Sequence, residues 1–256
     1  MAFQKSTILL IHDVHAKPGD KLTRLTKLRA FLRGRRPHLD KIIQIGDLWD
    51  LPSLCTHDKD LPEWNTRSFK ADLKAGFNAL DMICDIGMDW GLSAQDIVVT
   101  EGNHEERYNR WMKSDNRLLT SDWAPTMAAQ VELEYPAINY VPFQTPYHFG
   151  GVSFCHYFVS GVMNRAHSGE RPALSMLRTH HCSVVAGHRH TIDFAEHTRP
   201  DDSKIYAFVC GSFVNPNDPF SFAGAGRKLW WSGVHLLHLT KPGEFDIESI
   251  SLDRMM

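Results

Sequence analysis

The tightest constraint in this chain is a repeated junction, in which a short apolar run stops abruptly and delivers Asp, Asn or His. "STILLIH" (6–12) is followed by Asp13 and His15; "KIIQIGD" (41–47) ends on Asp47, with Asp50 just beyond. "DIVVTEG" (96–102) leads into Asn103 and His104, "GVSFCHY" (151–157) contains His156, and "CSVVAGH" (182–188) ends on His188 with His190 after it. Near-continuous Val, Ile and Leu predicts strands buried on both faces. Polar groups at the ends of such strands are costly to leave unpaired. Any one of them is ordinarily a turn or a helix cap. Five successive junctions supplying the same few residue types exceed that explanation. In an α/β sheet the carboxyl ends of parallel strands line one crevice, so groups spread from residue 13 to residue 190 would meet there.

Helical patterns separate the early runs. Residues 20–35 space Leu22, Leu25, Leu28, Phe31 and Leu32 for one face, and residues 66–90 do the same with Phe69, Leu73, Phe77, Leu80 and Ile83. A third helix is expected from Glu105 to Leu119. Further strands are expected at 204–212, 234–239 and 245–252. The order begins as alternating strand and helix and then becomes strand-rich, which predicts an α/β layered sandwich. No repeat or linker divides residues 1–256, so one domain is expected. The residues after His190 read as core strands, leaving no separate capping or DNA-gripping domain. Residues 51–67 lack periodicity and read as an irregular surface loop, the usual home of substrate contacts.

Composition adds exclusions. A net charge of −2 demands neither a nucleic-acid nor a membrane partner. The N-terminal apolar run is too short for a signal peptide, and no stretch approaches a membrane span. Five dispersed Cys without a Cys-x-x-Cys argue against a disulfide framework and fit a reducing cytoplasm. The 15 His are the anomaly, because neutral imidazole is the commonest metal ligand.

Taken in order, Asp13-Val14-His15, Gly46-Asp47-Leu48-Trp49-Asp50, Gly102-Asn103-His104-Glu105, His156 and Gly187-His188-Arg189-His190 resemble the five signature blocks of the calcineurin-like metallophosphoesterase superfamily. The resemblance implies a four-layer αββα sandwich, two mixed β-sheets flanked by helices, with two divalent metal ions at the strand ends. Asp13, His15, Asp47 and His190 would bind one metal, and Asp47, Asn103, His156 and His188 the other, with Asp47 bridging. Oxygen and imidazole donors together favour manganese, with iron, zinc or nickel as alternatives, over calcium. The activity implied is attack of hydroxide on a phosphate ester. His104 would be the catalytic proton donor, and Asp50 would hold its ring and favour its charged form.

Protein-phosphatase members of the superfamily carry an Arg after the second block and another before the third. Leu51 and Glu101 stand there instead, so a protein Ser/Thr phosphatase is not expected. Arg107, three residues beyond His104, is the best substrate-binding replacement, with Asn103 beside it; Arg67, Lys70, Arg110 and Arg189 are further candidates. Losing the clamps favours a phosphodiester, of nucleic acid or of a small nucleotide, over a dianionic monoester. The alternatives are a small-molecule phosphatase and a scaffold of the same fold without activity. The basic stretch from Lys21 to Arg36 would be the nuclease feature, although a solvated helix face explains it better in a chain of net charge −2. Glu105 has no assigned role beyond opening a helix.

Overall fold

Ser6–His12 (β1), Lys41–Ile45 (β2) and Ile97–Thr100 (β3) form the apolar centre of the first sheet, as the continuous runs require. In this computed structural model, residues 3–114, 123–215 and 224–255 are described. Between the strands lie helices Thr23–Arg35 (α1), Phe69–Asp89 (α2) and Glu105–Ser114 (α3); the end of the helix expected over 105–119 falls outside the described residues. The loop at 51–67 folds into three short 3-10 turns, at Pro52–Leu54, Thr56–Asp58 and Pro62–Thr66. There follow Met127–Glu134 (α4), Asn139–Val141 (β4), Tyr147–Phe149 (β5), Val152–Cys155 (β6) and a two-residue hairpin, Val159–Ser160 (β7) with Arg165–Ala166 (β8). Pro172–His180 (α5), Ser183–Ala186 (β9), Ile192–Thr198 (β10), Lys204–Cys210 (β11), Gly233–Lys241 (β12) and Glu244–Ser251 (β13) complete the order.

The first sheet runs β13-β12-β1-β2-β3-β4 and the second β10-β11-β9-β6-β5. β1 to β4 are mutually parallel, while β12 and β13 return antiparallel beside β1. In the second sheet β6, β9 and β11 are parallel, flanked by antiparallel β5 and β10. Both sheets are therefore mixed.

Alternation along β1 explains the layering. Ile8 and Leu10 point into a layer between the sheets, against Phe154, Val185 and Phe208. Leu9 and Ile11 point the other way, onto Leu25 and Leu28 of α1 and Leu80 and Ile83 of α2. The far face of the second sheet, Val184, Ala207 and Val209, is covered by Ala173, Met176 and Leu177 of α5. The result is the expected αββα sandwich. Among the described residues, no helix is long and apolar enough to cross a membrane.

The basic stretch on α1 is largely absorbed within the fold. Arg29 bonds to Asp85 and Asp89, Arg33 to Asp89, and Arg35 to Glu248. Arg24 is buried and donates to the Val14 carbonyl at 2.7 Å.

Candidate metal centre

The parallel ladder between β1 and β2 continues past the strand ends. Asp13 N donates to Gly46 O, His15 N to Asp47 O and Ala16 N to Leu48 O, at 2.8–3.2 Å. This locks the two loops that carry Asp13, His15, Asp47 and Asp50. Arg24 pins the carbonyl between Asp13 and His15. Gly46, at φ +66°, lies against the His156 ring, which would occupy the space of any Cβ there.

The side chains converge as the sequence predicts. Asp13, His15 and His190 form one group, and Asp47, His156 and His188 a second; within each, the ligand atoms lie within 4.8 Å of one another. His190 Nε2 is 3.1 Å from Asp13 Oδ1 and 3.2 Å from His15 Nε2. His15 Nε2 is 3.8 Å from Asp47 Oδ2, which links the groups. His156 Nε2 faces Asp47 Oδ2 at 3.2 Å and Asn103 Oδ1 at 3.0 Å, while its Nδ1 lies 3.1 Å from the Ile45 carbonyl. That carbonyl fixes the proton on Nδ1 and turns Nε2 toward the two oxygens. Burial alone would raise Asp47; His156, His104 and His15 outweigh it and hold its carboxyl well below the usual range.

Backbone conformation marks the same residues. Asp13, His15, Asp47, His188 and His190 all have φ between +44° and +68°, five of the seven candidate ligands. Left-handed backbone costs a non-glycine residue about 1–2 kcal/mol. Such strain persists where surrounding structure over-determines it, and it clusters at functional sites.

Carboxylates and imidazoles facing one another at such short range fit a divalent cation. The groups around Asp13 and Asp47 could each hold one. A third group, His15, Asp50 and His104, could as well.

Asp50 binds more than the sequence suggests. Its Oδ1 lies 3.0 Å from His104 Nδ1 and 3.4 Å from His15 Nδ1. Burial opposes ionisation of Asp50, but the two imidazoles hold its carboxyl far below the ordinary range. His104 is opposed by burial and by Arg107, yet Asp47 and Asp50 raise it above the ordinary imidazole value. Arg107 donates to the Asp50 carbonyl at 2.9 Å.

Glu105 is the residue that sequence reasoning missed. Its buried carboxylate accepts from the amides of Gly102 (2.8 Å), Trp49 (2.9 Å) and Asp47 (3.1 Å), tying the second block to the third. Gly102 sits so close to Asp47 that a Cβ would strike its carboxylate and amide. Asp47 Oδ1 in turn accepts from His104 N at 3.0 Å. Leu51 is wholly buried, and Glu101 binds Asn109 and the Phe143 amide, so neither faces a substrate. Tyr157, directly after His156, lies tilted over His188 with 4.7 Å between ring centroids. Trp230 packs edge-on against His190 at 4.2 Å; nothing in the apolar periodicity points to that contact.

No family model matches the chain, and no curated protein matches it in sequence. One solved structure to which it is similar is a conserved uncharacterized protein, a predicted phosphoesterase, from Streptococcus pneumoniae TIGR4. The two are 12% identical, the match covers 98% of this chain and 92% of that one, and the TM-score is 0.41. A likeness of that grade leaves the function of this chain to its own residues.

Proposed function

We propose that this protein is a two-metal phosphoric ester hydrolase that cleaves a phosphodiester, of nucleic acid or of a small nucleotide. The observation that carries the proposal is the left-handed backbone at five Asp and His residues, four of them buried and His188 half-buried, whose side chains converge. Seven other described non-glycine residues also have positive φ, so the weight lies in the coincidence of that strain with converging metal-competent donors.

Asp13, His15, Asp47 and His190 would hold one cation, and Asp47, Asn103, His156 and His188 the other. Divalent cations in such a donor set would supply Lewis acidity to a phosphoryl group and lower the pKa of water near it. His104 stands beside Asp47, with 3.8 Å between Nε2 and Oδ2, and delivers a proton to the leaving oxygen. Asp50 orients the imidazole through Nδ1. Arg107 turns from the Asp50 carbonyl to a phosphoryl oxygen when substrate arrives.

A phosphomonoesterase would need cationic forks for a dianion. No Arg occupies positions 51 or 101, which leaves Arg107 as the one guanidinium proposed for the phosphoryl group and favours the diester. The test is elemental analysis of the purified protein, with hydrolysis of bis(p-nitrophenyl) phosphate and p-nitrophenyl phosphate compared under added Mn²⁺. Two metals per chain and a preference for the diester are expected. A protein inactive on both esters after metal loading overturns the proposal.

A further inference from the structure

A cleft of about 610 Å³ opens directly beside the centre, lined by Asn103, Arg107, Arg110 and Trp111 on and just before α3 and by Lys59 and Trp64 of the 51–67 loop. It lies between the irregular 51–67 loop and α3. No carboxylate is among its described lining residues. Two indoles and three cations in one cleft suit a ligand that is both aromatic and anionic along its length. Base–aromatic stacking combined with backbone-tracking cations is how single-stranded nucleic acid is held. In a duplex the base faces are already covered by their neighbours, so an indole has nothing to stack on. The α1 arginines, which could have tracked a duplex, are engaged in ion pairs with Asp85, Asp89 and Glu248.

We infer that this cleft is a subsite for an unpaired nucleic-acid strand, with a base stacked on Trp64 and the next phosphate on Arg110 and Lys59. Arg107 lies 3.0 Å from His104 Nε2 and lines the cleft. The bound nucleotide is therefore on the leaving-group side of the phosphate to be cleaved. That last assignment rests on the phosphodiesterase proposal; strand binding itself does not.

The experiment measures anisotropy of fluorescein-labelled oligo-dT titrated with the full-length protein in EDTA, so that binding is read without turnover. Parallel arms use an abasic strand of equal length, the matching duplex and dTMP. Oligo-dT should bind more tightly than all three. Trp64→Ala should weaken oligo-dT binding by between about fivefold and about a hundredfold, leave abasic binding unchanged, and be largely rescued by Trp64→Phe. Arg110→Ala, on an exposed side chain, should instead reduce the slope of log affinity against log salt by about 0.7. Equal binding of oligo-dT and the abasic strand, duplex or dTMP binding as tight as oligo-dT, or indifference to both Trp64→Ala and Arg110→Ala overturns the inference. Hydrolysis of bis(p-nitrophenyl) phosphate by the metal-loaded wild type is scored separately, so failure of the catalytic proposal is distinguishable from failure of this one.

Discussion

Nη2 of Arg107 lies 3.0 Å from Nε2 of His104. A guanidinium can only donate, so Nε2 is an acceptor here and the ring proton sits on Nδ1, facing Asp50. Moving Arg107 away frees Nε2 to take the proton that Asp47 and Asp50 favour. Arg107 also depresses the His104 pKa by charge. A general acid is lost as pH rises through its pKa, so Arg107→Met should move the alkaline fall in kcat/KM to higher pH. A pH profile on a diester with an alkyl leaving group checks this; an unmoved or lowered limb contradicts it.

His104→Gln should slow cleavage of esters with poor leaving groups by about a hundredfold or more. The loss should shrink for p-nitrophenolate, which departs without a proton. Metal content by elemental analysis should be unchanged. If the variant loses metal, His104 is a ligand rather than the proton donor.

Burial pulls His156 down, but Asp47 outweighs it and carries the metal-free ring up to about 10. At neutral pH the ring is therefore charged, and ligation must displace a proton. Calorimetric titration of Mn²⁺ in buffers of different ionisation enthalpy should show proton release, reduced in His156→Gln. Asp47→Asn should lose both metal affinity and activity.

Glu105→Gln replaces an acceptor of three amides with a group that itself donates. At least one buried N–H loses its partner, at a cost of about 1–3 kcal/mol. Urea unfolding of the metal-free protein should show that loss. Metal affinity should also fall, because the Asp47 and Gly102 amides are no longer tied together.

His235 is buried against His12, and burial chiefly, with His12, lowers its pKa from 6.5 to about 3. The unfolded chain therefore takes up the proton first on acidification. Nothing is lost above pH 6.5, and stability falls as pH drops from there toward about 3. The acid limb of stability against pH should be shallower in His235→Asn, whatever its absolute stability.

What was legible in the sequence follows from burial. All eight apolar runs became strands; those covered on both faces leave an uninterrupted apolar record, while the edge strand Glu244–Ser251 shows through Phe245, Ile247 and Ile250 set among polar residues. Asn139–Val141, Tyr147–Phe149 and Ile192–Thr198 left none; they pair at the sheet edges, where side chains are partly exposed. Met127–Glu134 and Pro172–His180 are too short for a clear helical period. The seven candidate ligands were visible because they directly follow, or lie just beyond, strand ends. Glu105 was not, since its partners are backbone amides at residues 47, 49 and 102, and a sequence does not say which way an amide points. The pairing of the α1 arginines was hidden for a similar reason: Asp89 and Glu248 are brought to α1 only by the fold.

The position of β1 has a consequence for assembly. It lies between β2 and β12, with Ser6 opposite Leu239 and Leu10 opposite His235. During synthesis β1 emerges before the other strands of its sheet, yet one side of its backbone stays unpaired until β12, more than two hundred residues later, has left the ribosome. Until then an apolar strand is an open edge, available to other chains. Asp13 and His15 directly follow that strand, so a nascent chain stalled just before residue 233 would carry all seven candidate ligands beside an aggregation-prone open edge.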